Sequence, residues 1–174
     1  MKIQSSARII ALCGPEGVGK TYLTSQSSRR RVSFADPLRE IVAAMTGIPA
    51  NDLRNQEVKK MPLSDLSSFD PDDKRTVRDL LIETGDFMRR INETYFAEKA
   101  VEVLSEDGEF IIDDLRFDNE LKFIKDEFGD DVEVILVVDD HTLKNIDNDQ
   151  LSIVYRDRYT ENGIVPDSVY FNSR

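Results

Sequence analysis

The chain has 174 residues, 40% of them hydrophobic, which is enough apolar material for one core. Its 34 acidic and 23 basic residues give a formal net charge of -11, which argues against nucleic acids and anionic membranes as partners because both bind through excess Lys and Arg. The lone cysteine, Cys13, has no disulfide partner and is expected to be a small buried side chain. No apolar run approaches the roughly 18 residues of a membrane span. We therefore expect one cytoplasmic domain that binds small molecules.

The first predicted element is a strand that opens into a glycine-rich loop. The apolar run Ile9 to Leu12 leads into Gly14-Pro15-Glu16-Gly17-Val18-Gly19-Lys20-Thr21, which matches the pattern G-x-x-x-x-G-K-[ST]. Backbone N–H groups of such a loop bind phosphate oxygens, Lys20 adds charge at the β- and γ-phosphates, and the Thr21 hydroxyl binds Mg²⁺. The residues assigned to the triphosphate are Gly14, Gly17, Val18, Gly19, Lys20 and Thr21.

The next elements are a short helix, a strand and a longer helix. The helix that begins at Lys20 is expected to be short because the residues 24–28 are poor helix formers. A second strand is predicted over Val32 to Ala35. Asp36 is then the natural N-cap of a helix that ends near Thr46 and is closed by Gly47.

The rest of the chain alternates between helices and strands. Helical patterns cover 51–60, 74–91, 94–105 and 119–128, and strands are predicted at 110–112, 132–138 and 165–172. This alternation predicts an α/β fold, with a five-stranded parallel sheet between two layers of helices. Ligands of such sheets bind at the carboxyl ends of the strands.

Two aspartates lie at the predicted end of the third strand. A carboxylate beside a phosphate-binding loop commonly holds Mg²⁺, and both Asp113 and Asp114 qualify by position. One of the two is expected to serve the site. Alternatively, they are turn residues that cap the next helix.

The helix over 74–91 carries a basic stripe. Arg78, Gly85 and Arg89 fall within about 40° of one another around the helix axis, so a phosphate could lie between the two guanidiniums. Glycine in a helix costs about 1 kcal/mol relative to alanine, and Gly85 therefore indicates close approach by a ligand or backbone. The alternative is a solvated basic face paired with Glu83 and Asp86.

The polar segment 139–164 is where a lid over the phosphates is expected. Arg156 and Arg158 would act from this lid on the transferred phosphate. Ordinary surface charge is the equal alternative for both. The single histidine, His141, is expected to be a solvated loop residue.

Several short motifs recur in one order along the chain. They are the phosphate-binding loop, Phe34-Ala35-Asp36-Pro37-Leu38, the helix from Arg78 to Arg89 with Gly85, and Asp114-Leu115-Arg116-Phe117-Asp118-Asn119-Glu120. Together they resemble the bacteriophage deoxynucleoside monophosphate kinases, a branch of the P-loop nucleoside monophosphate kinase superfamily. The string D-x-R-F-x-N-E is the most specific of them, and the resemblance spans nearly the whole chain.

The resemblance implies a P-loop kinase fold in one domain, 1–174, with a helical substrate-binding region at 37–106 and a small lid at 139–164. It implies that the loop holds ATP, that Asp114 serves the metal or substrate end of the cleft, and that Asp36 and Arg39 lie near the deoxynucleoside. It further implies an acceptor-phosphate site formed by Arg78, Arg89 and Arg116. A viral chain of this kind would work in the host cytoplasm, and a homodimer is retained as an alternative to a monomer.

The expected reaction is phosphoryl transfer from ATP, with Mg²⁺, to a (deoxy)nucleoside monophosphate, giving the diphosphate for dNTP supply. The nearest alternative is a P-loop kinase that phosphorylates a hydroxyl group, of a nucleoside or of dephospho-coenzyme A, with Asp36 as base. The third class is a non-metabolic NTPase. Against it, the sequence lacks the guanine-reading string N-K-x-D of GTP switches, and its acidity disfavours a DNA motor.

Overall fold

The computed structural model describes residues 5–139 and 164–172. The strands of these residues are β1 Ile9–Cys13, β2 Arg30–Val32, β3 Phe110–Ile112, β4 Val132–Val138 and β5 Ser168–Phe171. Their α-helices are α1 Lys20–Ser25, α2 Asp36–Thr46, α3 Gln56–Lys60, α4 Val77–Ile91, α5 Tyr95–Leu104 and α6 Asp118–Phe128. Short 3-10 helices cover Asp52–Arg54, Leu63–Asp65 and Gly129–Asp131. Within the described ranges, no helix combines the length and the apolar character that crossing a membrane requires.

The five strands form one sheet in which every pairing is parallel. Their order is β2-β3-β1-β4-β5, and Ala11 of β1 is paired with Ile112 on one side and Val134 on the other. The chain thus builds β2 and β3 on one side of β1 and then β4 and β5 on the other. Open α/β sheets bind ligands at the carboxyl ends of the strands beside such a reversal. The predicted α/β class and five-stranded parallel sheet are confirmed.

The central strands are buried on both faces. Every residue of β1 and β3 is buried, and in β4 only Glu133 is partly exposed. On one face, Ile10 and Leu12 pack in a cluster with Val18 of the glycine-rich loop. On the other face, Cys13 is fully buried, as expected, and burial raises the pKa of its thiol to about 12 against the opposing charge of Lys20. Layers on both faces of the sheet are what a three-layer fold requires.

The chain divides into two compact units. The sheet unit comprises the described residues up to Phe34 and from Ala97 onward, and the helical unit comprises Ala35–Phe96. The helical unit has its own apolar cluster of Val42, Leu53, Leu63, Val77, Leu80 and Leu81. The substrate-binding region predicted over 37–106 stays a prediction.

The second strand lies earlier in the chain than predicted. β2 takes in two arginines, and Arg30 is paired with Phe110 of β3, whereas Ser33 and Phe34 have left the strand. Since β2 is an edge strand, charged side chains can be accommodated there. The Arg31 guanidinium lies 2.5 Å from the carboxylate of Asp113. This ion pair compensates the positive charge that Arg31 brings into the strand.

The helix boundaries follow the predicted signals with three differences. The helix predicted over 51–60 is a 3-10 turn, Asp52–Arg54, followed by α3, because Asn55 is extended and caps Gln56–Lys60. α2 ends at Thr46, and Gly47 adopts a φ of 73°, as the prediction of a glycine stop requires. Asp36, however, is the first residue of the helix rather than its N-cap. α4 begins three residues later than predicted, because Thr76 and Asp79 form a capping box there.

Candidate functional site

The glycine-rich loop between β1 and α1 is held in a shape that needs glycine. Gly14, Gly17 and Gly19 have φ angles of 132°, 90° and 95°, in the region that side chains rarely adopt. A Cβ atom added at Gly14 would lie 2.4 Å from the carbonyl oxygen of Val137. The loop therefore rests directly on the backbone of β4. The helix that follows is short, as predicted.

Lys20 points back into this loop. Its ammonium donates hydrogen bonds to the carbonyl oxygens of Gly14 and Pro15, at 2.5 and 2.7 Å. Burial lowers the pKa of Lys20 to about 8, helped by the charge of Arg116 and opposed by Cys13, Asp113 and Asp114. Phosphate oxygens bind an ammonium more strongly than neutral carbonyl oxygens do, so a bound phosphate would replace these partners.

Because the pKa of Lys20 is lowered to about 8, we predict that any binding of ATP at the loop depends on pH. With a pKa near 8, the ammonium is largely protonated at pH 7 and largely neutral at pH 9. Because the anionic ligand favours the charged form, we expect the Kd of ATP with Mg²⁺ to rise about tenfold between these pH values. Titration calorimetry measures this, with Lys20→Arg as the control, since a guanidinium stays charged throughout. A wild-type Kd that is constant from pH 7 to 9 would contradict the expectation.

The two aspartates after β3 have separate partners. Asp113 is buried and paired with Arg31, as described above. Asp114 accepts hydrogen bonds from the Ser33 hydroxyl and, at 3.0 Å, from the backbone N–H of Phe34. Neither bond is a cap of α6. Asp114 ties the end of β3 to the end of β2, and Ser33 is a partner that sequence reasoning missed.

Thr21 and Asp114 suit Mg²⁺ as ligands. Mg²⁺ prefers oxygen ligands and usually keeps several waters, so one or two protein side chains with substrate phosphates are enough. Thr21 is exposed at the start of α1, and Asp114 is only partly buried. A carboxylate offers about four acceptor sites, so the bonds to Ser33 and Phe34 do not by themselves prevent Asp114 from binding a metal ion. Among the described residues, no group of three or more His, Cys, Asp or Glu side chains could bind a metal ion alone.

The string from Asp114 to Glu120 combines structural residues with one exposed cation. Leu115 is buried, and Glu120 accepts from the backbone N–H groups of Arg116 and Phe117 at 3.4 and 3.2 Å, which caps α6. The side chain of Arg116 is exposed, and its charge acts on Lys20. Arg116 is therefore the member of the string best placed to meet a ligand.

In the helical unit, Gly85 makes room for side chains. A Cβ atom there would lie 3.2 Å from a guanidinium nitrogen of Arg89 and 3.4 Å from Leu38 of α2. The Arg89 guanidinium carbon also lies 4.9 Å from the centre of the Phe96 ring, a cation–π contact. The groups that approach Gly85 are thus the side chains of Arg89 and Leu38, not a ligand or backbone, and the Arg89 guanidinium packs on the Phe96 ring.

The basic residues Arg78, in α4, and Arg75, just before it, have different partners. Arg78 donates to the side-chain oxygen of Gln56 at 2.5 Å. Arg75 pairs with Asp73 and Glu83, as expected for surface charge. The alternative of a paired basic face is seen in part, since an Asp86 oxygen lies 3.9 Å from Arg89.

Asp36 forms an ion-pair cluster with two arginines. Its carboxylate contacts Arg39 at 2.6 Å and also contacts Arg54. Arg54 was missed by sequence reasoning because the contact spans 18 residues of chain and leaves no local pattern. Two guanidiniums thus contact one carboxylate.

Of the lid predicted over 139–164, residues 140–163 lie outside the described residues. This applies to Arg156 and Arg158, and also to His141. Their assignments stay predictions.

Comparisons with known proteins give no family for this chain. No family model matches it, and a search of curated protein sequences finds no match either. The α/β fold with a glycine-rich loop at the carboxyl end of β1 is what the structure defines, and the function is argued from the residues of the site.

Proposed function

We propose that the protein transfers the γ-phosphoryl group of ATP to a (deoxy)nucleoside monophosphate. The observation that carries this proposal is that the Lys20 ammonium lies inside the glycine-rich loop at the end of β1, and that a second cation, the exposed Arg116, follows the end of the neighbouring strand β3. Phosphoryl transfer needs positive groups fixed where negative charge develops in the transition state. These cations are needed in addition to the groups that bind the triphosphate. The products are ADP and a nucleoside diphosphate, which would feed dNTP supply.

In this reaction an oxygen of the acceptor phosphate attacks the γ-phosphorus, and the bond from that phosphorus to the β-phosphate bridging oxygen breaks. Loop N–H groups and Lys20 hold the donor phosphates, and Arg116 stabilises charge on the transferred group. Bound Mg²⁺, held by Thr21 and Asp114, would neutralise further charge on the phosphates. Loop closure by 139–164 with Arg156 or Arg158 would exclude water.

The acceptor would be held by the helical unit. Arg78 and Arg89 would bind its phosphate, Gly85 would keep Arg89 in its present rotamer, and Asp36 with Arg39 would meet the deoxynucleoside. A phosphate monoester is mostly dianionic at pH 7, so the attack needs no general base. This agrees with a site built from arginines.

The interactions of Asp36 argue against a kinase that phosphorylates a hydroxyl. Such an enzyme needs a base, and Asp36 is instead bonded to Arg39 and Arg54. We predict that Asp36→Asn raises KM for the monophosphate but keeps kcat within about tenfold of wild type, whereas loss of a general base costs about 10² to 10⁴. Steady-state kinetics measure this, with the exposed Asp65→Asn as control. A kcat loss above 10³ in folded Asp36→Asn would favour the hydroxyl kinase.

A matched pair of arginine variants tests the acceptor site. Arg89 is partly buried against Phe96, whereas the adjacent Arg90 is exposed. Charge-assisted hydrogen bonds contribute about 1.5–3 kcal/mol, so Arg89→Met should raise the Kd of a deoxynucleoside monophosphate at least tenfold and leave that of ATP unchanged. Arg90→Met should change neither. Equal effects of the two variants in calorimetry would contradict the assignment of the acceptor phosphate to Arg89.

A non-metabolic NTPase stays the third class. It would hydrolyse ATP without transfer to any monophosphate. Hydrolysis stimulated by added DNA, in the absence of nucleoside diphosphate product, would favour this class over the kinase.

A further inference from the structure

The residue after β5 contacts the middle of the phosphate-binding loop. The Asn172 side-chain amide donates to the carbonyl oxygen of Val18 at 2.8 Å, across 154 positions of sequence. Asn172 is 7% exposed, and its backbone N–H donates to the carbonyl of Val138 at 2.8 Å. The backbone of Asn172 is therefore bonded to the end of β4, and its side chain extends from there to the loop.

This contact determines which way one loop peptide faces. In a trans peptide the carbonyl and the N–H of the next residue point to opposite sides, and the Val18–Gly19 peptide is trans. Holding the Val18 oxygen toward Asn172 therefore turns the Gly19 N–H away from it. Phosphate binding by a loop needs such N–H groups held in one direction.

The residues around Val18 leave the peptide free to turn without this bond. Gly17 and Gly19 flank Val18, and glycine readily adopts many backbone conformations. The Val18 side chain packs in the buried cluster beside Tyr170 of β5, which fixes the side chain but not the carbonyl. The buried carbonyl needs a donor, and Asn172 supplies one.

We propose that Asn172 is a positioning residue for the phosphate-binding loop, holding the Val18–Gly19 peptide in the orientation that binds the ATP phosphates. The inference deepens the proposed function and rests on it for the identity of the ligand. Asn172 acts through the loop backbone and would not touch ATP itself.

Two variants remove the donor with little change in size, Asn172→Leu and Asn172→Asp. Without the donor, the buried Val18 carbonyl oxygen is unsatisfied in the orientation that binds phosphate, and this free-energy penalty corresponds to an increase of about tenfold in the Kd of ATP with Mg²⁺. The Kd of a deoxynucleoside monophosphate should be unchanged. Hydrogen exchange of the amides in 14–21, measured without nucleotide, should become about tenfold faster. Each protein is assayed below its own Tm.

The control is Ser168→Ala on the same strand. Its hydroxyl donates to Glu133 at 2.8 Å, so the variant also loses a bond between β5 and β4 but not one to the loop. It should leave both ATP affinity and loop exchange as in wild type.

The outcomes separate this inference from the proposed function. If both Asn172 variants keep wild-type loop exchange, or if they weaken ATP and monophosphate binding equally, the positioning role is overturned. If wild type binds no ATP, the proposed function fails, and the exchange rates of 14–21 alone decide whether Asn172 anchors the loop.

Discussion

Replacing Lys20 with methionine is expected to lower kcat/KM for ATP by about 10³. Loss of one fixed donor to developing charge typically costs about 10² to 10³ in kcat, and in the proposed function Lys20 would also bind the β- and γ-phosphates. Steady-state assays of ADP release measure the loss. The Tm of the variant is measured alongside, because the substitution also removes the hydrogen bonds to the carbonyl oxygens of Gly14 and Pro15.

The control for this variant is Lys60→Met, which removes an exposed lysine paired with Glu57. Surface pairs of this kind contribute little, so activity and Tm should stay near wild type. If Lys20→Met keeps more than a tenth of wild-type kcat/KM, the loop lysine does not have the role proposed.

Gly14→Ala is expected to abolish ATP binding and to lower the free energy of unfolding by about 3 kcal/mol or more. The new Cβ would lie 2.4 Å from the Val137 carbonyl oxygen, at a φ of 132°. The clash is with the backbone of a central strand, which cannot move as a flexible side chain would. The combination of strain and overpacking accounts for the magnitude.

Gly108→Ala separates the clash from the backbone angle. Gly108 has nearly the same φ, 133°, but the nearest heavy atom to an added Cβ lies 4.0 Å away in the Phe110 ring. This variant should cost about 1–2 kcal/mol, from the backbone conformation alone. Denaturant unfolding of both variants gives the comparison. Equal losses would show that the contact between Gly14 and β4 is not the cause.

The parts of the fold that follow local rules could be predicted from the sequence. Three signals lie within a few neighbouring residues: the apolar run of β4, the glycine that ends α2, and the pattern of the glycine-rich loop. The elements that they predict form where expected. The α/β class follows from the alternation of these elements. β2 is the exception, because its arginines lack the apolar pattern and are accommodated only through the pairing of Arg31 with Asp113.

The candidate site was predicted residue by residue, but its long-range contacts were not. Sequence position alone could not distinguish Asp113 from Asp114. In the structure they differ in their partners, because Asp113 pairs with a residue of β2 and Asp114 accepts from the residues that follow β2. Nothing near Arg54 or Asn172 in the sequence marks them, because each acts on a residue far along the chain. Gly85 was predicted to mark close approach by a ligand or backbone, and the atoms nearest to an added Cβ there belong instead to the side chains of Arg89 and Leu38.

The most direct test of the proposed function is an ADP-release assay with ATP and Mg²⁺ across the eight common ribo- and deoxyribonucleoside monophosphates. We predict that at least one deoxynucleoside monophosphate is converted to its diphosphate, with one ADP formed per product and with no activity in Lys20→Met. The contradicting result is that folded wild-type protein phosphorylates none of the eight.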